Sequence, residues 1–269
     1  SSHNTSLSLS FHSTCLNILD PSKKANDELI NIFLSWYRYY KRINKLCLIL
    51  PTTFGKVIYE HQNSDKETQL KEANKVNLYI NCDDLRAEIM NMLQCPKQDQ
   101  YLLLPINLKN ENSRWVLLLV RPHERIMEYY DSSDDESLAE DQFLMISKWI
   151  KLFDNKDEQW HKKIIKDIPK HTNSNDSGIF VIMYALCLYY KVQMNFEHQH
   201  IPAIREHIIK SLLSGIHCQK PVFIYPDPHD SSSYAASGVN KRDFEDQVDS
   251  NNKRIRVDNE DKEINFVAD

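Results

Sequence analysis

Residues 168–187 read IPKHTNSNDSGIFVIMYALC, a polar loop running straight into an apolar helix. Pro169 to Asp176 is rich in residues that form turns. From Ser177 the chain is apolar nearly all round: Ile179, Phe180, Val181, Ile182, Met183, Ala185 and Leu186 leave no polar face. A helix without a polar face belongs in the middle of a domain, covered on every side. The remaining elements must therefore surround it.

Asn26 or Asp27 can cap a helix running to about Tyr40, with Leu29, Ile30, Phe33, Leu34 and Tyr37 on one stripe. Leu46 to Leu50 reads as a short buried strand, and Asp83-Asp84 open a helix with Leu85, Ile89 and Leu93 on one face. Three strands follow closely: Tyr101 to Ile106, Trp115 to Val120 and Ile126 to Tyr130. The last two form a hairpin whose turn holds an exposed His123. An acidic run (Asp134, Asp135, Glu136, Glu140, Asp141), read as solvated, leads into a helix with Phe143, Ile146, Trp149 and Ile150 on its apolar face. Ile164 to Ile168 reads as another strand and Ile201 to Leu213 as the last helix. Helices before, within and after a small sheet define an α+β fold.

Composition narrows the function. Only 4 glycines in 269 residues leave no material for Gly-rich phosphate loops. The 6 cysteines stand singly, with no CxxC pair, so no metal and no cofactor is expected, and Cys187 reads as packing. No stretch is long and apolar enough for a membrane span, and no signal segment opens the chain, so reduced thiols inside a cell are expected. The segment from Asp227 to Asp269 holds 11 acidic and 6 basic residues, which is the whole net charge of -5. The body is balanced at 27 of each, which gives no support for nucleic-acid binding. We read 7–226 as the folded, monomeric domain and 227–269 as a disordered acidic tail. Within that tail, Lys241-Arg242 and Lys253-Arg254-Ile255-Arg256 have the spacing of a bipartite nuclear-import signal, giving a nuclear or nucleocytoplasmic expectation.

Four stretches in order carry a family likeness: LSFHSTCLNILDPSKKANDELI (9–30), YLLLPINLKNENSRWVLLLV (101–120), IMEYYDSS (126–133) and IPKHTNSNDSGIFVIMYALC (168–187). Together they resemble the ubiquitin-like-protein peptidases, the clan of the SUMO-specific proteases, and most of all its deneddylase branch. The resemblance implies a papain-like cysteine-peptidase fold, with a small mixed sheet packed between helices. It also implies a His-Asp-Cys triad, an oxyanion-hole Gln, and two Trp side chains clamping the Gly-Gly tail of a modifier. Carried over by position, the His falls at Arg114, the Asp at Asp131, the Cys at Ser177 and the Gln at His171. The first clamping Trp falls at Lys24 and the second at Trp115, and Asp27 falls among the substrate-contacting positions.

These replacements bear on the chemistry. A cysteine at a helix N-terminus gains thiolate character from the dipole and a nearby imidazolium, whereas a serine there stays protonated and needs a base. Arg114 stands at the base position, and a guanidinium accepts no proton at any relevant pH. The expected product is a non-catalytic homologue that binds a Nedd-type modifier or SUMO. Arg114 and Asp131 should form a static, charge-assisted pair. Two alternatives stand beside it: an active isopeptidase using a Ser177–His171 dyad, and a scaffold that has lost modifier binding. Trp115 reads as core more readily than as a ligand contact, and Lys24 as a solvated charge.

Overall fold

The computed structural model describes residues 8–39, 45–60, 65, 68, 82–108, 113–133, 135–151, 159–214, 256–258 and 263–267. In chain order the strands are β1 (Ser8–His12), β2 (Cys47–Ile49), β3 (Tyr101–Leu108), β4 (Arg114–Arg121), β5 (Ile126–Tyr130), β6 (His161–Ile165), β7 (Arg256–Asp258) and β8 (Glu263–Val267). The α-helices among the described residues are α1 (Asp27–Tyr39), α2 (Thr52–Glu60), α3 (Cys82–Gln94), α4 (Ala139–Lys151), α5 (Ser177–Tyr190) and α6 (Ile201–Ser214). The chain divides into two units, Lys24–His198 and a second made of Ser1–Lys23 with Gln199–Asp269.

The larger unit is built on a mixed sheet of order β2-β3-β4-β5-β6, with the outer pairs parallel and the inner pairs antiparallel. Strand β4, RWVLLLVR, is buried from Arg114 to Val120, so the period-two alternation of a half-exposed strand is missing because both faces are covered. Leu102, Leu104, Ile106, Val116, Leu118 and Val120 face one core with Phe54, Ile89, Phe143 and Trp149 from α2, α3 and α4. Helix α5 packs against β4, and its side chains are buried from Ser177 to Cys187, as an all-apolar helix requires. Lys191 ends it in the left-handed conformation at φ 55°, its N–H reaching the carbonyls of Cys187 and Leu188.

Several boundaries depart from the sequence reading. β6 begins at His161, three residues ahead of the predicted Ile164, and ends before Lys166. It is a sheet edge whose exposed His161, Lys162 and Lys163 carry no apolar alternation. Helix α2 was not predicted. Its stripe of Phe54, Val57 and Ile58 is short and interrupted by Gly55, and it is tied to α1 by Asn31, whose side chain bonds the Thr52 hydroxyl and N–H at 2.8 Å each.

In the smaller unit, β1-β8-β7 form an antiparallel sheet, so two pieces of the tail read as disordered are strands. Ile264-Asn265-Phe266-Val267 supplies the β-branched and aromatic residues that pairing favours. Buried Arg205 of α6 donates to the carbonyls of Ile18 at 2.7 Å and Lys23 at 3.0 Å. Of the two basic clusters, only Arg256 lies among the described residues, and Asp134 of the acidic run lies outside them. No helix among the described residues is long and apolar enough to cross a membrane.

Candidate functional site

The start of α5, the start of β4 and the end of β5 bring Ser177, Arg114, Trp115 and Asp131 together. Ser177 is the first residue of α5 and is 1% exposed. Its Oγ accepts the Trp115 backbone N–H at 3.2 Å, linking the helix to the sheet. The turn leading into the helix is closed by Asn173, whose Oδ1 accepts the Asn175 N–H at 3.0 Å. Gly178 is demanded by close approach. A Cβ there would lie 2.8 Å from Ala25 Cβ and 3.1 Å from Trp115 Cδ1. Trp115 thus lies against the first turn of α5, is 2% exposed, and donates its indole N–H to the Ala25 carbonyl at 3.1 Å. In this structure its ring is core.

Arg114 and Asp131 form the expected pair. Arg114 Nε is 3.1 Å and Nη2 is 3.0 Å from Asp131 Oδ2, and both residues are buried. The guanidinium also reaches Asp135, with Nη1 2.9 Å from the carboxylate and Nη2 donating to the Asp135 carbonyl at 2.9 Å. Asp131 is satisfied from other sides by the Tyr129 hydroxyl at 3.0 Å and by the Ser133 N–H and hydroxyl at 2.9 Å each. Lys170 donates to the carbonyls of Asp131 at 2.9 Å and Ser133 at 3.2 Å, fastening the same loop.

The electrostatics follow from these contacts. Burial works against the Arg114 charge, but Asp131 and the hydrogen bond to Asp135 outweigh it and raise its pKa. Burial, with Asp131 beside it, pushes the Tyr129 hydroxyl far above its ordinary value, so it stays a donor. Hydrogen bonds from Ser137, then Arg114, hold Asp135 down to about 2.

His171 is held by Ser132. Its backbone N–H donates to the Ser132 carbonyl at 2.9 Å, and its Nδ1 shares a 2.7 Å hydrogen bond with the Ser132 hydroxyl. Its ring packs edge-on to Phe180, and burial lowers its pKa. No hydrogen bond joins it to Ser177 among the described residues.

Lys24 is more than a solvated charge. Its Nζ donates to the Ser113 carbonyl at 3.0 Å, and Ser113 takes a φ of 23° just before Arg114. Asp27 opens α1, but the cap is Asn26, whose Oδ1 accepts the Leu29 N–H at 2.8 Å. Sequence reasoning missed the contributions of Tyr129, Ser132, Asp135 and Lys170. Asp135 lay inside a run read as solvated, and a spacing of 21 residues from Arg114 gives no local signal. Among the described residues, no three His, Cys, Asp or Glu side chains converge as a metal ion would require. What the arrangement offers is a buried ion cluster and a hydroxyl used as an acceptor.

Comparison with known proteins places this geometry. The Ulp1 protease family, C-terminal catalytic domain, matches residues 26–219. The chain belongs to that family. Sentrin-specific protease 5 of Mus musculus and of Homo sapiens are each 30% identical over 203 residues, 73% of this chain. The match covers only 23% of the length of those relatives. Among solved structures, the C-terminal Ulp1 protease domain in complex with Smt3, the yeast ortholog of SUMO, superposes with a TM-score of 0.54 at 18% identity, covering 75% of this chain and 81% of that one. The Chaetomium thermophilum Ulp1-like SUMO protease catalytic domain gives 0.53 at 22% identity, covering 73% and 75%. These likenesses establish the α+β fold, a mixed five-stranded sheet packed with helices.

Proposed function

We propose that this chain is a pseudopeptidase, a family member that binds a ubiquitin-like modifier without cleaving its conjugates. The observation that carries the reading is Arg114, held between Asp131 and Asp135 where the family resemblance calls for a general base. A guanidinium so held neither accepts a proton nor activates a hydroxyl. Ser177 Oγ, meanwhile, serves as acceptor for the Trp115 N–H. The relatives are named for sentrin and SUMO, which puts SUMO first among candidate ligands and the Nedd-type modifier second. The basic clusters of the tail make the nucleus the proposed location. A full-length fluorescent fusion whose distribution is unchanged when Lys253 and Arg254 become Ala would refute that part.

Titration of the purified chain with labelled SUMO, Nedd-type modifier and ubiquitin tests the binding claim, and vinyl-sulfone forms of the same modifiers test the chemistry. Binding of one modifier, with no adduct at Ser177, is expected. An adduct that vanishes in Ser177→Ala would overturn the inactive reading, and binding to none of the three would leave a scaffold.

A further inference from the structure

Three contacts of increasing burial join the 24–25 segment, the 113–115 segment and the first turn of α5. The exposed one is the bond from Lys24 Nζ to the Ser113 carbonyl, at 3.0 Å. The next is buried: the Trp115 indole N–H donates to the Ala25 carbonyl at 3.1 Å. The last, also buried, brings the Trp115 backbone N–H to the Ser177 Oγ at 3.2 Å. Ala25 packs on the helix as well, since a Cβ at Gly178 would lie 2.8 Å from its own Cβ. Ala25, Trp115 and Ser177 are all buried.

Both sides of this junction are anchored. Asn26 follows directly on Ala25; its Oδ1 accepts the Leu29 N–H at 2.8 Å and its carbonyl the Ile30 N–H at 3.2 Å. The 24–25 segment is therefore tied to the first turn of α1. On the other side, the Ser113 hydroxyl donates to Asn107 Oδ1 on β3 at 3.2 Å. Ser113 has a φ of 23°, a sparsely populated conformation for a residue with a side chain. Such a conformation persists only where its surroundings hold it, and the bonds to Lys24 and Asn107 supply that hold.

We infer that Lys24 and Ala25 form a latched strap that shuts Ser177 away, so that a modifier is held by its folded body while its extended C-terminal tail stays outside. The recognition half of this inference rests on the function proposed above; the strap itself does not. A tail reaching the Ser177 hydroxyl along Trp115 has to part the 24–25 and 113–115 segments. Admitting one extended chain between them needs about 4.8 Å of added separation. The bonds at 3.0 and 3.1 Å would both break. Lys24 is the latch, because an exposed bond exchanges for water more readily than the buried one behind it.

The first test needs no modifier. In the full-length Ser177→Cys variant, iodoacetamide should leave the introduced thiol unmodified while it modifies the exposed Cys95. Adding Lys24→Met, which keeps the stem and removes the donors, should raise labelling at position 177 about fivefold, with buried Cys187 still protected. A second measurement covers the case in which Ser177→Cys does not fold. With Ser177 in place, Lys24→Met alone should speed deuterium exchange of the Trp115 indole N–H about fivefold. Labelling at position 177 as fast as at Cys95, or rates unmoved by Lys24→Met in both experiments, would overturn the strap. The second test compares SUMO and the Nedd-type modifier with the same proteins cut back before their extended tails. Affinities within about twofold are expected, and a loss of about tenfold or more on truncation would overturn the inference. Binding of neither form, with position 177 still protected, would end the modifier reading and leave the strap standing.

Discussion

Replacing Arg114 with Met keeps the aliphatic stem and removes the charge, so it isolates what the guanidinium does for Asp131. Both groups are buried, with side-chain exposures of 8% and 5%. Removing one partner of a buried pair costs about 3–5 kcal/mol, because the remaining charge is left without compensation. Asp131 would keep the Tyr129 hydroxyl and both donors of Ser133, which moves the expected cost to the lower end, about 3 kcal/mol. The lost link to Asp135, whose side chain is 48% exposed, adds no more than about 1 kcal/mol. Urea denaturation followed by circular dichroism reads the change. At a slope of about 2 kcal/mol per molar urea, the midpoint should fall by about 1.5 M. A cycle with Asp131→Asn should show the pair to be coupled, the double variant losing less than the two singles together by at least about 1 kcal/mol. A loss below about 1 kcal/mol in Arg114→Met, or strict additivity in the cycle, would refute the claim that the pair is the structural centre of the site.

Gly178→Ala should destabilise the fold by about 1–3 kcal/mol, because the added methyl meets Ala25 and Trp115; a neutral result in the same urea assay would show that the helix can shift. Burial lowers the His171 pKa, so an unfolded chain takes up a proton at about pH 6.5 that the folded chain refuses until lower pH. Stability is then full above about pH 6.5 and lost as pH falls through the window beneath it. His171→Gln should flatten that slope, leaving the part due to His207, also depressed by burial; an unchanged slope would count against it. Burial pushes the Cys187 thiol up to about 12, while Cys95 is exposed. A thiol reagent should therefore modify Cys95 in the native protein, and Cys15, Cys47 and Cys187 only on unfolding; native labelling of Cys187 would contradict its packing.

Strong periodicity made some elements readable from sequence. The all-apolar run after Ser177 and the stripe from Leu29 to Tyr37 appear as helices within a residue or two of where they were expected. Helix α2 escaped because nine residues containing two threonines and a glycine give only a short pattern. β6 escaped in part because an edge strand fronted by His161-Lys162-Lys163 looks like a loop. At the site, position came from the family likeness and the Arg114–Asp131 pair from charge alone. The grip on Asp135 and the Lys24 bond to Ser113 depend on backbone conformation and on separations of 21 and 89 residues, which composition and spacing do not encode.

The double grip of Arg114 also bears on how such a chain could change. An imidazole has two nitrogens; with one turned to Asp131 and the other needed for proton transfer, nothing would remain for the Asp135 carboxylate and carbonyl. Placing an imidazole at this position would therefore give up the hold on Asp135 at the same stroke, so a single substitution would exchange a loop contact for a base. Gaining a base without that loss takes several coordinated substitutions. The guanidinium here is part of the architecture, and each contact built on it makes the position harder to change.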